Sequence, residues 1–397
     1  MSTVQAQPSP LMADGWRAAL RLAWSIYWPL RLLTLGIGVV VGLANVRGQS
    51  LGLGEWLNQV LFVPWDQQDV TWYLKIATGG YGIPDGRAAY HPLLPLLMGG
   101  LGRVLGGQYV LAGFIINDLA CLGALAAFYK LVRLDYDPQV ARHSLGWLMY
   151  CPIGFVLLIP YTEALTLVWI FLAFWFARHD RWFAAGLSGA LATLTKHSAI
   201  VLALGLLVEY LSAHRRPLLS WRSAQVWASL SLVPLGYLAF SAYRLWITPL
   251  VNPSPGELAS ALIVSPQLNQ LWGNRFGTPI EWLVKILQFS FSPDTYGWFW
   301  IEVGLTIAGL VVVCFSLRRS RRSVAIYSAV TAFLIMTIIL PGDPLMSSPR
   351  RFLLVFAVFI QLGLWSSLSA RLHRWRFISL AIQILLVLGF VTAKYVP

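Results

Sequence analysis

Apolar runs of helical length recur along this chain, separated by short stretches rich in Arg, Pro and Gly. Each run approaches the ~20 residues an α-helix needs to cross the hydrocarbon layer of a bilayer. Run length and basic flanks together predict about eleven spans, near 24–46, 109–131, 144–160, 162–178, 182–195, 198–213, 224–246, 298–317, 324–341, 352–369 and 377–395. Two pairs among them, 144–178 and 182–213, hinge at Pro160-Tyr161-Thr162-Glu163 and at Lys196-His197. The segments 47–108 and 247–297 are too long and too polar to be simple connectors, and the first carries amphipathic stretches suited to the membrane interface. The expected fold class is an all-α polytopic membrane protein, one transmembrane domain over residues 1–397.

Composition agrees with the pattern. Of 397 residues, 57% are hydrophobic and 11% charged, against about 25% charged in soluble domains. Nineteen Trp and fifteen Tyr suit aromatic belts at the headgroup level. A net charge of +13 would suit a nucleic-acid partner, but its distribution argues otherwise. Starting from a cytoplasmic N-terminus, 18 of the 29 Lys and Arg, among them Arg31, Arg178, Arg215, Arg216 and Arg321, fall on one side. That is the positive-inside signature, which sets orientation and speaks for no nucleic acid. Ten of the sixteen carboxylates, Asp294 included, fall on the other side, so chemistry is expected on the outer face. Cys121, Cys151 and Cys314 each lie in a predicted span and form neither a disulfide framework nor a metal-ligand spacing. The first ten residues read as a polar tail, and the run from Arg17 to Val46 as a retained helix rather than a cleaved signal. No internal repeat stands out, which disfavours transporter folds. Asp118, beside Asn117, is the one carboxylate deep inside a span; it is either functional or a polar helix contact.

The chemistry concentrates at 69–81, Asp-Val-Thr-Trp-Tyr-Leu-Lys-Ile-Ala-Thr-Gly-Gly-Tyr, followed by Ala89-Tyr90-His91-Pro92-Leu93-Leu94-Pro95. On a helix, Asp69, Trp72, Tyr73 and Ile76 share a face that would rest its rings in the interface. Asp69 would then start the helix, where the dipole favours a negative charge and where Asp also serves as an N-cap. Asp66, three residues earlier, would share a divalent ion with Asp69 if one helix held both. Glu163 faces the same choice between lining a cavity and capping the helix it begins.

This stretch resembles the first outer loop of the GPI mannosyltransferase V (PIG-V-like) family, integral membrane glycosyltransferases of the GT-C class. Those proteins carry an Asp, two residues, an aromatic pair, then Ile-Ala-x-x-Gly-Tyr, and later an aromatic before Pro-Leu-x-Pro-Leu. The likeness continues at Pro160-Tyr161-Thr162-Glu163-Ala164-Leu165, at Gly186-Leu187-x-Gly189-Ala190-Leu191-Ala192-Thr193-Leu194-Thr195-Lys196 and at Ser348-Pro349-Arg350-Arg351-Phe352. The chain departs from the family in having Gln68 where a Trp precedes the Asp, with Trp65-Asp66 three residues before. It also has Lys196-His197-Ser198-Ala199 in place of an Arg-Pro-Asn-Gly-like turn, and Phe352 in place of a Tyr.

The resemblance implies a GT-C-like fold and transfer of a hexose, typically mannose, from a polyprenyl-phosphate donor to a hydroxyl on the outer face. No cofactor is implied, and a divalent metal is not favoured. Spacing to Trp72-Tyr73 makes Asp69 the candidate general base, with Asp66 its rival. The leaving phosphate needs fixed cations, for which Lys196, His197, Arg350, Arg351 and His91 are the candidates; each also suits a side chain that merely snorkels to lipid. Trp72, Tyr73, Tyr161 and Glu163 are expected to line the cavity. The partners would be the lipid-linked donor, membrane lipids and a glycolipid, glycan or protein acceptor, and the location a bacterial plasma membrane. Two other readings stay open: a lipid-linked sugar flippase, and a non-catalytic scaffold of the same fold.

Overall fold

The computed structural model describes residues 15–83, 85–213, 221–247, 254–263, 273, 275–293, 295–340 and 342–395. Arg215, Arg216, Asp294 and the polar first ten residues lie outside them. In chain order the helices are α1 (Trp16–Asn45), α2 (Leu53–Leu61), α3 (Asp69–Gly79), α4 (Leu93–Val104), α5 (Tyr109–Val132), α6 (Pro138–Tyr150), α7 (Thr162–Ala177), α8 (Trp182–Thr195), α9 (Leu202–Ala213), α10 (Trp221–Ile247), α11 (Pro255–Ile263), α12 (Pro279–Ser290), α13 (Gly297–Arg319), α14 (Arg322–Ile335), α15 (Ser348–Arg351), α16 (Ala357–Leu368) and α17 (Ala370–Val391). Two short strands, β1 (Arg275–Phe276) and β2 (Ile338–Ile339), pair antiparallel. Five helices, α1, α5, α10, α13 and α17, are long and apolar enough to cross a membrane, and the bent pair that ends in α16 makes a sixth candidate. The protein is a polytopic membrane protein built almost wholly of helices.

Several predicted spans are broken rather than continuous. The one expected at 144–160 ends as α6 at Tyr150 and resumes as a 3-10 turn at Gly154–Leu158. Pro152 and Pro160 bring no N–H to a helix ladder, and a Cβ on Gly154 would sit 2.4 Å from the Met149 carbonyl. The span expected at 324–341 stops at Ile335 and turns into β2. That expected at 352–369 bends by 77° between Ser348–Leu354 and Ala357–Leu368. Both hinges read from the sequence are present, since α7 starts at Thr162 and α8 ends at Thr195 before a 3-10 turn at His197–Val201.

Packing places the first outer segment. Within α1, a Cβ on Gly38 would meet the buried Trp65 ring at 2.3 Å, and one on Gly42 the Val60 carbonyl at 2.4 Å. These two glycines let α2 and the turn after it lie directly on α1, which sets where α3 begins. A core of rings from Phe128, Phe171, Phe174, Tyr327 and Phe356 joins α5, α7 and α14 beneath.

Charge separates along α7. At its C-terminal end Arg178 pairs with Asp135 at 2.6 Å, and Arg321 pairs with Glu209 at 2.7 Å. At its start stands Glu163, so the 16 residues of α7 hold two charge clusters about 24 Å apart.

Arg31, assigned by the sequence to a basic loop, is instead buried in the middle of α1. It donates to the Leu158 carbonyl at 2.7 Å and to Asp118 Oδ2 at 3.0 Å. Asn117 donates to the Leu157 carbonyl at 2.8 Å. Asp118 therefore ties α5 to α1, as a polar helix contact. We expect Arg31→Leu to strand a carboxylate in the bundle and lower stability by about 3 kcal/mol. Adding Asp118→Leu should restore most of the loss, as read from thermal midpoints in detergent; a single variant as stable as wild type would contradict this role.

Candidate active site

Asp69 is the first residue of α3, and no side chain caps that helix. Its carboxylate turns instead to two other partners. Oδ2 accepts from Arg350 Nη1 at 2.7 Å, and Oδ1 from the Tyr90 hydroxyl at 3.3 Å. Burial, reinforced by the Asp69 charge, raises the Tyr90 phenol well above its ordinary pKa, so Tyr90 keeps the proton it donates. The start of α3 adds the favourable end of a helix dipole beneath the carboxylate.

Arg350 reaches Asp69 from α15, 281 residues away in the chain. Its Nε lies 3.1 Å from Glu163 Oε1, and its guanidinium lies 4.9 Å from the centre of the Tyr161 ring. The same Glu163 oxygen accepts from Lys196 Nζ at 2.9 Å. Asp69, Arg350, Glu163 and Lys196 thus form one buried chain of alternating charge. Glu163 stands in the first turn of α7 and Lys196 just past the end of α8, each at the helix end whose dipole suits its sign. Gln68, at φ 53°, and Ser347, at φ 62°, flank the Asp69–Arg350 pair. Such backbone costs on the order of 1 kcal/mol or more and persists where surrounding packing imposes it.

Asp69, Arg350 and Lys196, but not Glu163, face a cavity of about 240 Å³. Among the described residues lining it, Asp69 is the one carboxylate, while Lys196, Arg244, Arg275, Arg350 and Arg351 supply positive charge. One buried guanidinium nitrogen of Arg351 has no hydrogen-bond partner within the protein. The lining also carries apolar side chains: Phe276, Leu334, Ile335, Ile338, Leu340 and Leu354. A negatively charged headgroup carrying a hydrocarbon chain would meet a matching surface for each part.

The structure brings together most of the residues singled out in the sequence. Trp72, Tyr73, Tyr161, His91, His197, Lys196, Arg350 and Arg351 all border the cavity with Asp69. The rings of Trp72 and Tyr73 are turned into the protein rather than the interface: Trp72 stacks on Tyr90 with centroids 5.6 Å apart, and Tyr73 meets Tyr90 edge-on. Glu163 is fully buried behind the wall and does not line the cavity; it has taken two cations instead of capping α7. Asp66 is also off the cavity, exposed, and accepts from the Thr71 hydroxyl at 2.8 Å. The break at Gln68 keeps Asp66 out of α3, so the two acids lack the one-helix spacing that would share an ion.

Sequence reasoning missed Tyr90, Tyr237, Arg244 and Arg275 as wall residues. Tyr90 was inside the quoted motif, where an aromatic directly before His91-Pro92 was the signal. Nothing in the pattern around Arg244 separated it from a snorkelling cation at a helix end.

His91 Nδ1 lies 2.7 Å from the Thr193 carbonyl, which only accepts, so Nδ1 carries the proton. Burial pushes this imidazole down to about 3. His91 is therefore neutral at physiological pH, a positioned hydrogen-bonding group and not a fixed cation.

No protein-family profile matches the chain, and no curated protein matches it. Solved structures similar to it are of the Archaeoglobus fulgidus oligosaccharyltransferase. The apo form has 12% identity over 97% of this chain and 56% of that chain, with a TM-score of 0.48. The complex with Zn and sulfate has 13% identity over 94% and 53%, with a TM-score of 0.49. The form with an inhibitory peptide and a dolichol-phosphate, named AglB, has 10% identity over 94% and 56%, with a TM-score of 0.46. The chain spans a little more than half the length of those proteins.

The buried neutral His91 generates a pH dependence. Its ordinary pKa of 6.5 falls to about 3 in the folded protein, so between those values the unfolded chain binds the extra proton. Stability therefore falls as pH drops through that window. We expect His91→Gln to flatten the decline of the thermal midpoint between pH 6.5 and pH 4; an unchanged slope would mean His91 does not titrate on unfolding.

Proposed function

We propose that this protein is an integral membrane glycosyltransferase of GT-C-like architecture. It moves a hexose, mannose by resemblance to the PIG-V-like family, from a polyprenyl-phosphate donor to an acceptor hydroxyl. The observation that carries this reading is the cavity itself: among its described lining residues one carboxylate, Asp69, stands with fixed cations and a set of apolar side chains. A donor phosphate is attracted by Lys196, Arg350 and Arg351, and its prenyl chain follows the apolar side chains toward the bilayer. The acceptor oxygen attacks the anomeric carbon, and Asp69 takes the hydroxyl proton. The bond from that carbon to the phosphate oxygen breaks as the new bond forms, with inversion. The charge growing on the lipid phosphate passes to the cations already in place.

Arg350 has a second duty in this scheme. Its guanidinium engages Asp69 Oδ2. A phosphate that recruits Arg350 frees that oxygen for the acceptor, so donor binding readies the base. Tyr90 holds the other oxygen and orients it. The basic cluster at the far end of α7, read by the positive-inside rule, supports a site on the outer face of a bacterial plasma membrane.

The test is transfer by purified protein supplied with polyprenyl-phosphate mannose and candidate lipid, glycan or peptide acceptors, scored by release of polyprenyl phosphate. Asp69→Asn, which keeps the side chain's shape while removing its charge, should lower kcat by about 10²-fold or more beyond any loss of folded protein, read as kcat per folded molecule with the thermal midpoint measured alongside, and Asp66→Asn should behave as wild type. Arg350→Lys, which loses the forked contact to both acids, should raise the donor KM as well as lower kcat. Activity retained in the Asp69 variant removes the base assignment. Folded protein that releases no polyprenyl phosphate with any donor or acceptor favours the scaffold reading.

A further inference from the structure

A second pocket lies at the other end of the molecule, and its lining differs in kind from the first. It is bordered by Leu22, Ser25 and Ile26 of α1, by Arg142, His143, Gly146 and Tyr150 of α6, and by His373, Arg376 and Phe377 of α17. Its level in the bundle follows from the helices that form it. The Trp16 ring at the start of α1 packs on Trp175 near the C-terminal end of α7, with centroids 5.1 Å apart. The pocket opens one to two turns inward from that end, on the side of the Arg178 cluster and away from Asp69.

No carboxylate lines this pocket among the described residues. The nearest acid on its helices, Asp137, spends Oδ1 on the backbone N–H groups of Gln139 and Val140 as the cap of α6. Arg376 is consequently left to imidazole partners. Its Nη2 lies 3.2 Å from His143 Nδ1 and against the His373 ring, and the two imidazoles meet edge-on at 5.2 Å. The guanidinium passes directly over Gly146, where a Cβ would stand 2.1 Å from Nη1. A backbone opening and two histidine rings thus hold the Arg376 guanidinium in the same lining as Arg142, with no carboxylate among the described lining residues to neutralise either.

The surroundings state what neutralises them. Trp24, Trp375, Phe377 and Ile378 beside the pocket are all more than half exposed, as side chains facing lipid tails are. A cationic pocket between membrane helices, at the basic end of the bundle and rimmed by lipid-facing apolar side chains, suits an anionic lipid headgroup. We propose that this pocket binds the phosphate of an anionic phospholipid, with Arg142 and Arg376 as its ligands and the acyl chains lying along Phe377 and Ile378. The site is separate from the Asp69 cavity and does not depend on the reaction assigned there.

The experiment is native mass spectrometry of the purified full chain, titrated with phosphatidylglycerol, with phosphatidylcholine, and with inorganic phosphate. Phosphatidylglycerol should be retained over phosphatidylcholine, and Arg142→Gln or Arg376→Gln should weaken its retention about fivefold each. Arg374→Gln, exposed on the same turn but outside the pocket, should match wild type. Gly146→Ala keeps every charge yet displaces the Arg376 guanidinium, so it should weaken retention too, and its helix-favouring residue guards against misfolding. Equal retention of the two lipids, or wild-type retention in Arg142→Gln and Gly146→Ala, overturns the proposal. Inorganic phosphate displacing phosphatidylglycerol at equal concentration would also overturn it, making this a site for free anions.

Discussion

The arrangement of the cavity end of this protein depends on how Arg350 is buried. A guanidinium taken from water into a helical bundle needs compensating negative charge close by. Arg350 achieves this with Asp69 on one side and Glu163 on the other, and rests its face on Tyr161. Those partners come from α3 and from the first turn of α7, while Glu163 also takes Lys196 from the end of α8. One cation therefore ties together four parts of the chain that are distant in sequence. Removing any member leaves an uncompensated charge, so the fold of this end and the chemistry of the cavity rest on the same contacts.

The helix breaks are what make such a network feasible. A continuous span presents side chains to its neighbours but satisfies its own backbone, leaving no free dipole end at depth. Here α7 starts late, α8 stops early and the α15–α16 pair bends by 77°. Each break delivers a helix end, and with it a charged side chain, to the same level. The unusual backbone at Gln68 and Ser347 falls on the two segments that carry Asp69 and Arg350. Strain and breaks converge where the charges do, which is the pattern expected when a site rather than a core dictates local conformation.

Much of this was legible in the sequence, for identifiable reasons. Low charge density and apolar runs revealed the membrane class, and Pro160 and Lys196 marked two of the breaks. The spacing from Asp69 to Trp72-Tyr73, read against the family pattern, favoured it with Asp66 kept as a rival, and the positive φ at Gln68 divides the two acids physically, since the helix begins only after it. What was not legible depends on the third dimension. Arg31 counted as a loop cation because its partner Asp118 is 87 residues away. Glu163 read as a wall residue because run length cannot tell a side chain facing a cavity from one facing two cations behind it. The halting of the 324–341 run at Ile335 follows from the pairing of β2 with β1, a contact between segments about sixty residues apart, and hydropathy carries no trace of it.

The balance of charge in the cavity sharpens the reading of its ligand. Asp69 and Glu163 supply two negative charges to the buried cluster, against the positive charges of Lys196, Arg350 and Arg351. His91 adds none, being neutral. The cluster therefore carries an excess of positive charge before Arg244 on the rest of the wall is considered, Arg275 being paired with Glu281. A neutral sugar alone would leave that excess buried and uncompensated, at a cost of several kcal/mol. A phosphate ester compensates it on binding, and the additional charge that develops as the ester bond breaks is favoured further. In the proposed reaction the same imbalance favours the leaving phosphate over the bound donor ester, which is the direction catalysis requires.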